Sequence, residues 1–263
     1  MPGNETFLFR TLPHLGKRVF RLGLSASYGL DEAGIREAFA GGLNYVFWPP
    51  TARKLTRVLR EEVRKDRERL VIATGPTFGL FRGSIRRRAE VALRLLGTDY
   101  LDVFQLYWVG VGSALSDANL EELVRLREEG KVRALGVSIH DRKRAGRLAA
   151  DSPLDLLMIR YNAAHPGAES DVFPHLAARR PAVVAYTATS WTRLLRAPRG
   201  WKGPPATAGD CYRFCLTSSH VDVVLSASGT AERLRQNLAE LEKGPLSPEE
   251  ETTMRALGRA VHG

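Results

Sequence analysis

The sequence predicts a (β/α)8 TIM barrel, its bottom closed by an N-terminal β-hairpin. Three observations carry that reading. Eight short runs rich in Val, Ile, Leu and aromatics recur, each followed by a segment of helical period. The runs lack polar alternation, the pattern of strands buried on both faces, which favours a parallel sheet covered by helices. The 263 residues match the roughly 250 such a barrel needs. No Pro/Gly/Ser-rich linker divides residues 1–263, so the chain reads as one domain.

The elements follow in order. Residues 7–10 and 18–20 form the hairpin candidate, turning at His14-Leu-Gly16. Strands are predicted at 21–24, 44–48, 70–74, 101–106, 132–137, 154–159, 182–186 and 221–225. Helices fall between them. Asp31 caps 32–41, Thr51 opens 52–64, Gly83-Ser84 leads into 85–96, and Ser116-Asp117 into 118–129, which Gly130 ends. Asp141 caps 142–149; further helices are expected at 168–178, around 190–195, at 209–217, and at 231–242 behind Thr230. Ser247-Pro-Glu-Glu250 starts a last helix, with Pro in its first turn and acids at its positive end.

Composition narrows the function classes. Hydrophobic residues make up 44% and charged residues 26%, enough for a sizeable core and unlike disorder. The start has no basic segment leading into a long apolar run, and no stretch approaches a membrane span, so a cytoplasmic protein without a membrane role is expected. Cys211 and Cys215 are too few for a disulfide framework or a four-ligand zinc site and read as buried small residues. Thirty-nine basic against twenty-nine acidic residues give a net charge of +10. The arginines are scattered beside glutamates on helices, and no basic-aromatic motif appears. An anionic small molecule is the expected partner rather than nucleic acid.

In such a barrel the working face lies at the C-terminal ends of the strands. Those ends carry Ser25-Ala-Ser-Tyr28, Trp48, Thr74 to Phe78, Tyr107-Trp108, Ser138-Ile-His-Asp141, Arg160-Tyr-Asn162 with His165, Thr187-Ala-Thr189 and Ser226-Ala-Ser228. Hydroxyls and aromatics dominate. The set suits a planar ring and phosphates, but offers no carboxylate pair for glycoside hydrolysis and no metal cluster. Gly110-Val-Gly112 lacks the third glycine of a dinucleotide turn, and Gly136-Val-Ser138-Ile-His140 lacks the last glycine of a nucleophile elbow. His140-Asp141 reads either as a general base with its partner or, more simply, as a loop histidine beside a helix cap.

From the hairpin to about residue 242 the chain resembles the aldo/keto reductases. The resemblance rests on Arg21-Leu-Gly-Leu24, on 96–106 (LGTDYLDVFQL), on 126–138 (LREEGKVRALGVS), on Arg160-Tyr-Asn162, on Val184-Ala-Tyr186 and on 228–238 (SGTAERLRQNL). It implies a (β/α)8 barrel that binds NADPH without a Rossmann domain. Residue by residue, it implies Tyr186 stacked on the nicotinamide and Ser138 at its amide, where the family's following asparagine is Ile139 and its glutamine after strand six is Met158. It implies Arg233 and Asn237 at the adenosine 2′-phosphate, with Ser228 nearby and Ala227 in place of the usual lysine.

The family's Asp/Tyr/Lys/His tetrad does not carry over. Phe47 stands at the Asp position, 48–53 (WPPTAR) contains no tyrosine, Gly75 stands at the Lys position and Tyr107 at the His position. The reading is an NADPH-dependent oxidoreductase with a degenerate active site and non-standard or weak carbonyl reduction. Tyr107 is the first choice for the replacement acid, with Tyr28 and His140 as the others. Trp48 and Trp108 are expected to wall a pocket for a flat, apolar small molecule. The alternatives are a non-catalytic NADPH-binding barrel acting as a sensor or partner-binding subunit, and an enzyme that has abandoned the cofactor.

Overall fold

A computed structural model describes residues 2–25, 29–76, 84–111 and 115–262. An antiparallel hairpin comes first, β1 (Phe9–Thr11) against β2 (Arg18–Phe20), in register Phe9↔Phe20. Eight parallel strands then close into a barrel. They are β3 (Leu22–Ser25), β4 (Tyr45–Phe47), β5 (Val71–Thr74), β6 (Leu101–Val109), β7 (Val132–Ile139), β8 (Leu156–Arg160), β9 (Ala182–Tyr186) and β10 (Val223–Ser226), with β10 paired to β3. Phe7 and Leu8, half of the expected first hairpin strand, instead end helix α1 (Pro2–Leu8). Leu12 and Val19 of the hairpin pack with Val71, Val103 and Val223 into the barrel interior, so the hairpin plugs the bottom.

The covering helices are α2 (Glu32–Ala40), α3 (Arg53–Asp66), α4 (Ser84–Leu96), α5 (Asp117–Glu128), α6 (Arg142–Ala150), α7 (Ala168–Asp171), α8 (Ala208–Thr217), α9 (Ala231–Leu241) and α10 (Pro248–His262). Side-chain caps fix several starts: Asp31 accepts from Gly34 N, Ser116 from Asn119 N, Asp141 from Arg144 N and Thr230 from Arg233 N. The helix expected over 168–178 breaks after one turn, and Phe173–Ala178, with Pro174 in its first turn, continues as a 3-10 helix. The helix expected around 190–195 is only a 3-10 turn, Arg193–Leu195, because Ser190, Trp191 and Thr192 all take left-handed backbone, with φ of 49°, 57° and 66°.

The lower rim repeats one device three times. Asp102, Asp155 and Asp222 stand at or just before the starts of β6, β8 and β10. Each accepts a backbone N–H from a neighbouring strand: Ile72 at 2.9 Å, Leu135 at 2.9 Å and Val183 at 2.7 Å. Each is also ion-paired, Asp102 with Lys17 and Arg67, Asp155 with Arg127, Asp222 with Arg10 and Arg180. Buried Arg21 adds to this rim, donating to the carbonyls of Phe7, Leu216, Val221 and Asp222.

Candidate active site

Side chains alternate along a strand, so the interior residues Tyr45, Ala73, Val103, Ala134, Leu156 and Val184 determine which later residues face the mouth. These are Phe47 on β4, Gln105 and Tyr107 on β6, Ser138 on β7, Met158 and Arg160 on β8, and Tyr186 on β9.

Phe47 and Tyr107 meet edge to face, with ring centroids 5.4 Å apart. Tyr107 is only 8% exposed. Burial holds its phenol well above the usual range, and the Thr74 hydroxyl beside it offsets only part of that. Across the ring, the Tyr186 hydroxyl lies 3.1 Å from Nδ1 and 3.2 Å from Nε2 of His140. Burial pushes the Tyr186 phenol up to about 12, against the opposing field of Arg160. Burial, and then Arg160, lowers the His140 imidazole below its ordinary value. Arg160 pairs in register with Tyr186. His165, hydrogen-bonded to Asn162 Oδ1 at 3.2 Å and packed on His262, completes this side.

Several expected site residues are placed differently. Trp48 follows the inward Phe47 and therefore turns outward; it is fully buried against α3, where its indole N–H donates to Thr56 Oγ1 at 2.9 Å. It walls no pocket at the mouth. Trp108, near the end of β6, has a φ of 50° and is 47% exposed. Tyr28 lies outside the described residues. Asp141 caps α6 through Arg144 N, and the His140 ring is hydrogen-bonded to Tyr186 rather than to Asp141. Gly75 stands at the position where the resemblance leads one to expect a lysine. A Cβ there would lie 1.8 Å from the Gln105 carbonyl oxygen, so this backbone admits no side chain at that position.

At the far end of the mouth, Asn237 donates to Ser228 Oγ at 2.9 Å, and Ser228 lies 2.9 Å from Ser226, itself 3.1 Å from the Tyr212 hydroxyl. Ser228 and Asn237 are both buried, so Asn237 braces the β10–α9 loop rather than reaching outward. Arg233 is exposed one turn away. A cavity of about 300 Å³ opens beside Ser228, with Ser25, Thr51, Arg53 and Lys54 among its lining residues. Sequence reasoning gave Arg160 no role of its own. It ends its strand with interior parity, and that was the available signal. No group of three metal-ligating side chains occurs among the described residues.

These strand ends, in this order, can be compared with known proteins. The sequence model of the Aldo/keto reductase family matches residues 32–198. The chain belongs to the aldo/keto reductase family. Curated relatives include the NADH-specific methylglyoxal reductase of Escherichia coli, 27% identical over 93 residues, 35% of this chain and 28% of that protein. Another is aldo-keto reductase YhdN of Bacillus subtilis, 29% identical over 118 residues, 41% of this chain and 35% of that protein. These alignments therefore span only about a third of each relative's length. Solved structures agree over nearly the whole fold. The holo form of an aldo-keto reductase from Bacillus halodurans has a TM-score of 0.80 at 20% identity, covering 96% of both chains. An aldo-keto reductase from Klebsiella pneumoniae in complex with NADPH has a TM-score of 0.77 at 21% identity, covering 95% of both. No helix among the described residues is long and apolar enough to cross a membrane.

Proposed function

We propose that this barrel binds NADPH and reduces small carbonyl compounds slowly, with His140 as the proton donor. The observation that carries the reading is the Tyr186–His140 contact at the mouth. It joins the expected nicotinamide platform to a titratable group on the next-but-one strand. The residues present fit the nucleotide. Arg233 is exposed and has no ion-pair partner among the described residues, and it stands at the start of α9 beside the Ser228–Asn237 pair. Tyr186 would support the ring and Ser138 its amide, as the family resemblance implies. When bound, the nucleotide supplies the hydride for the carbonyl carbon.

The chain's own residues then orient the carbonyl and deliver a proton to its oxygen. The His140 imidazolium is the better donor than Tyr107, which is buried and has its phenol pKa raised by that burial. The closed Gly75 position supports slow turnover, since no lysine can stand there to stabilise a tyrosinate. The same observation favours the second reading, a barrel that binds NADPH without catalysis.

Two measurements test this. Fluorescence titration should find NADPH bound more tightly than NADH. Arg233→Ala should weaken NADPH roughly ten- to hundredfold, as for loss of a charge-assisted hydrogen bond, and leave NADH nearly unchanged. Equal losses for both nucleotides would remove Arg233 from the phosphate. Steady-state oxidation of NADPH with a panel of aldehydes and ketones should give measurable turnover well below that of reductases with the full tetrad. Tight NADPH binding with no turnover would leave the non-catalytic reading standing.

A further inference from the structure

We infer that the mouth selects a carbonyl compound bearing a carboxylate, and that Arg160 is the residue that recognises it. This rests on the reductase reading above for the carbonyl, but not for the carboxylate.

Arg160 ends β8 with its side chain directed into the mouth, half-buried beside Tyr186. Several half-buried or buried arginines have carboxylate partners, Arg67 with Asp102, Arg127 with Asp155, Arg213 with Glu250 and Arg255 with Glu169, and buried Arg21 has four backbone carbonyls instead. The Arg160 guanidinium has neither a hydrogen bond nor an ion pair among the described residues. A cation partly removed from water without an anion is costly unless a ligand supplies one. The nearby acids are committed elsewhere. Asp141 caps α6, Asp171 pairs with Arg142, and Glu169 holds Arg255 and the Tyr161 hydroxyl. The internal segments outside the described residues, 26–28, 77–83 and 112–114, contain neither Asp nor Glu.

The surrounding charge is positive as well. Arg160 and its neighbours Arg193, Arg142 and His262 add to burial in pushing the His165 imidazole down to about 4. Arg142 and Arg193 are engaged, with Asp171 and the Val261 carbonyl, which leaves Arg160 as the cation available to a ligand. Opposite it stands the Phe47–Tyr107 pair, an aromatic wall without charge. A ligand with an apolar ring toward Phe47 and Tyr107 and a carboxylate toward Arg160 would meet both walls. Its carbonyl would then lie near His140. The guanidinium can grip both carboxylate oxygens, which an ammonium cannot do with the same geometry. A flat, apolar ligand without an anionic group would leave Arg160 unsatisfied.

The test compares 4-formylbenzoate with its methyl ester as substrates under saturating NADPH. The acid should be preferred in kcat/KM by about tenfold or more. Arg160→Met should abolish that preference through a roughly ten- to hundredfold loss on the acid relative to the ester, with NADPH affinity unchanged within about twofold; any gain common to both substrates reports relief of the Arg160 field on His140. Arg160→Lys should recover part of it. A wild type indifferent to the carboxylate, or an equal loss on acid and ester, overturns the proposal. So does weakened NADPH binding in Arg160→Met, since Arg160 would then serve the nucleotide. If neither compound turns over, calorimetry with benzoate and benzamide decides independently of the reductase reading. Benzoate binding that is lost in Arg160→Met supports the proposal, and no preference for benzoate over benzamide overturns it.

Discussion

At the lower rim, Asp102, Asp155 and Asp222 each hold a neighbouring strand's N–H and at least one cation. At the mouth of the same barrel, Gln105 Oε1 and Ser190 Oγ are buried without a hydrogen-bond partner among the described residues, and the Arg160 guanidinium has no ion pair there. Backbone conformation differs in the same sense. Among the described non-glycine residues with left-handed backbone, Trp108, Thr187, Ser190, Trp191 and Thr192 lie at or beyond the C-terminal strand ends, with φ between 49° and 66°, against His14 and Arg180 at the bottom. Left-handed backbone in non-glycine residues is uncommon and costs energy that the surrounding structure must supply. One end of the barrel satisfies its polar groups internally; the other leaves them open to a ligand. That division is what a (β/α)8 scaffold permits, with stability drawn from the bottom and chemistry from the top.

The comparison predicts its largest effect at the bottom. Asp222→Ala leaves Arg10, Arg180 and the Val183 N–H facing a buried gap. Removing one member of a buried ion pair typically costs about 3–5 kcal/mol. Urea denaturation should report a loss of that order, while NADPH affinity of the folded fraction stays unchanged. A loss below about 1 kcal/mol would mean that the rim is not where the barrel is held.

Gly75 sharpens the comparison because it lies at the mouth and yet should behave like a core position. With the Gln105 carbonyl oxygen only 1.8 Å from where a Cβ would stand, Gly75→Ala must push two strand backbones apart. The expected cost is about 1–3 kcal/mol, the range for overpacking a filled interior. Gly75→Lys should cost at least as much and restore no activity. Family-like turnover in Gly75→Lys would show that β5 and β6 can separate to admit a side chain there.

The barrel was legible in the sequence because eight apolar runs of the right length alternate with capped helical segments, and every one of those runs became a strand. Boundaries were harder where apolar residues run on without a phase. Phe7, Leu8 and Phe9 fit a strand or a buried helix turn equally, and the first two belong to α1. The same lack of phase hid the site. Asn44-Tyr-Val-Phe-Trp48 is apolar at four consecutive positions, so nothing in it distinguishes the inward Phe47 from the outward Trp48 until the register Phe47↔Ala73 is known. Arg160 was visible as a residue of a family-like motif, but its freedom depends on where Asp171, Glu169 and Asp141 are committed. Those are tertiary facts, with no trace in local spacing. The residues expected at the tetrad positions, Phe47, Gly75 and Tyr107, could by contrast be named directly, since that is a matter of residue identity.

The smallest expected structural effect, and the one that separates the two candidate donors, is at His140. The residue is exposed, so His140→Gln should change stability by no more than about 0.5 kcal/mol. Removing a positioned acid should nevertheless lower kcat/KM by roughly a hundredfold. The pH dependence gives the sign. Burial and Arg160 both disfavour the imidazolium, so its pKa lies below the ordinary 6.5. The protonated form is the donor. The rate should therefore be highest at low pH and fall as pH rises through that lowered pKa, and the falling limb should vanish in His140→Gln. A donor at Tyr107 predicts something else, because burial keeps that phenol protonated well past neutrality. The profile would then be flat through that limb, and Tyr107→Phe rather than His140→Gln would abolish turnover. A carboxylate bound at Arg160 would offset the field that depresses His140, so the limb should move to higher pH in kcat than in kcat/KM for 4-formylbenzoate. With the methyl ester the two should coincide. Coincident limbs for both substrates would separate His140 from Arg160 and leave the mouth as two unconnected halves.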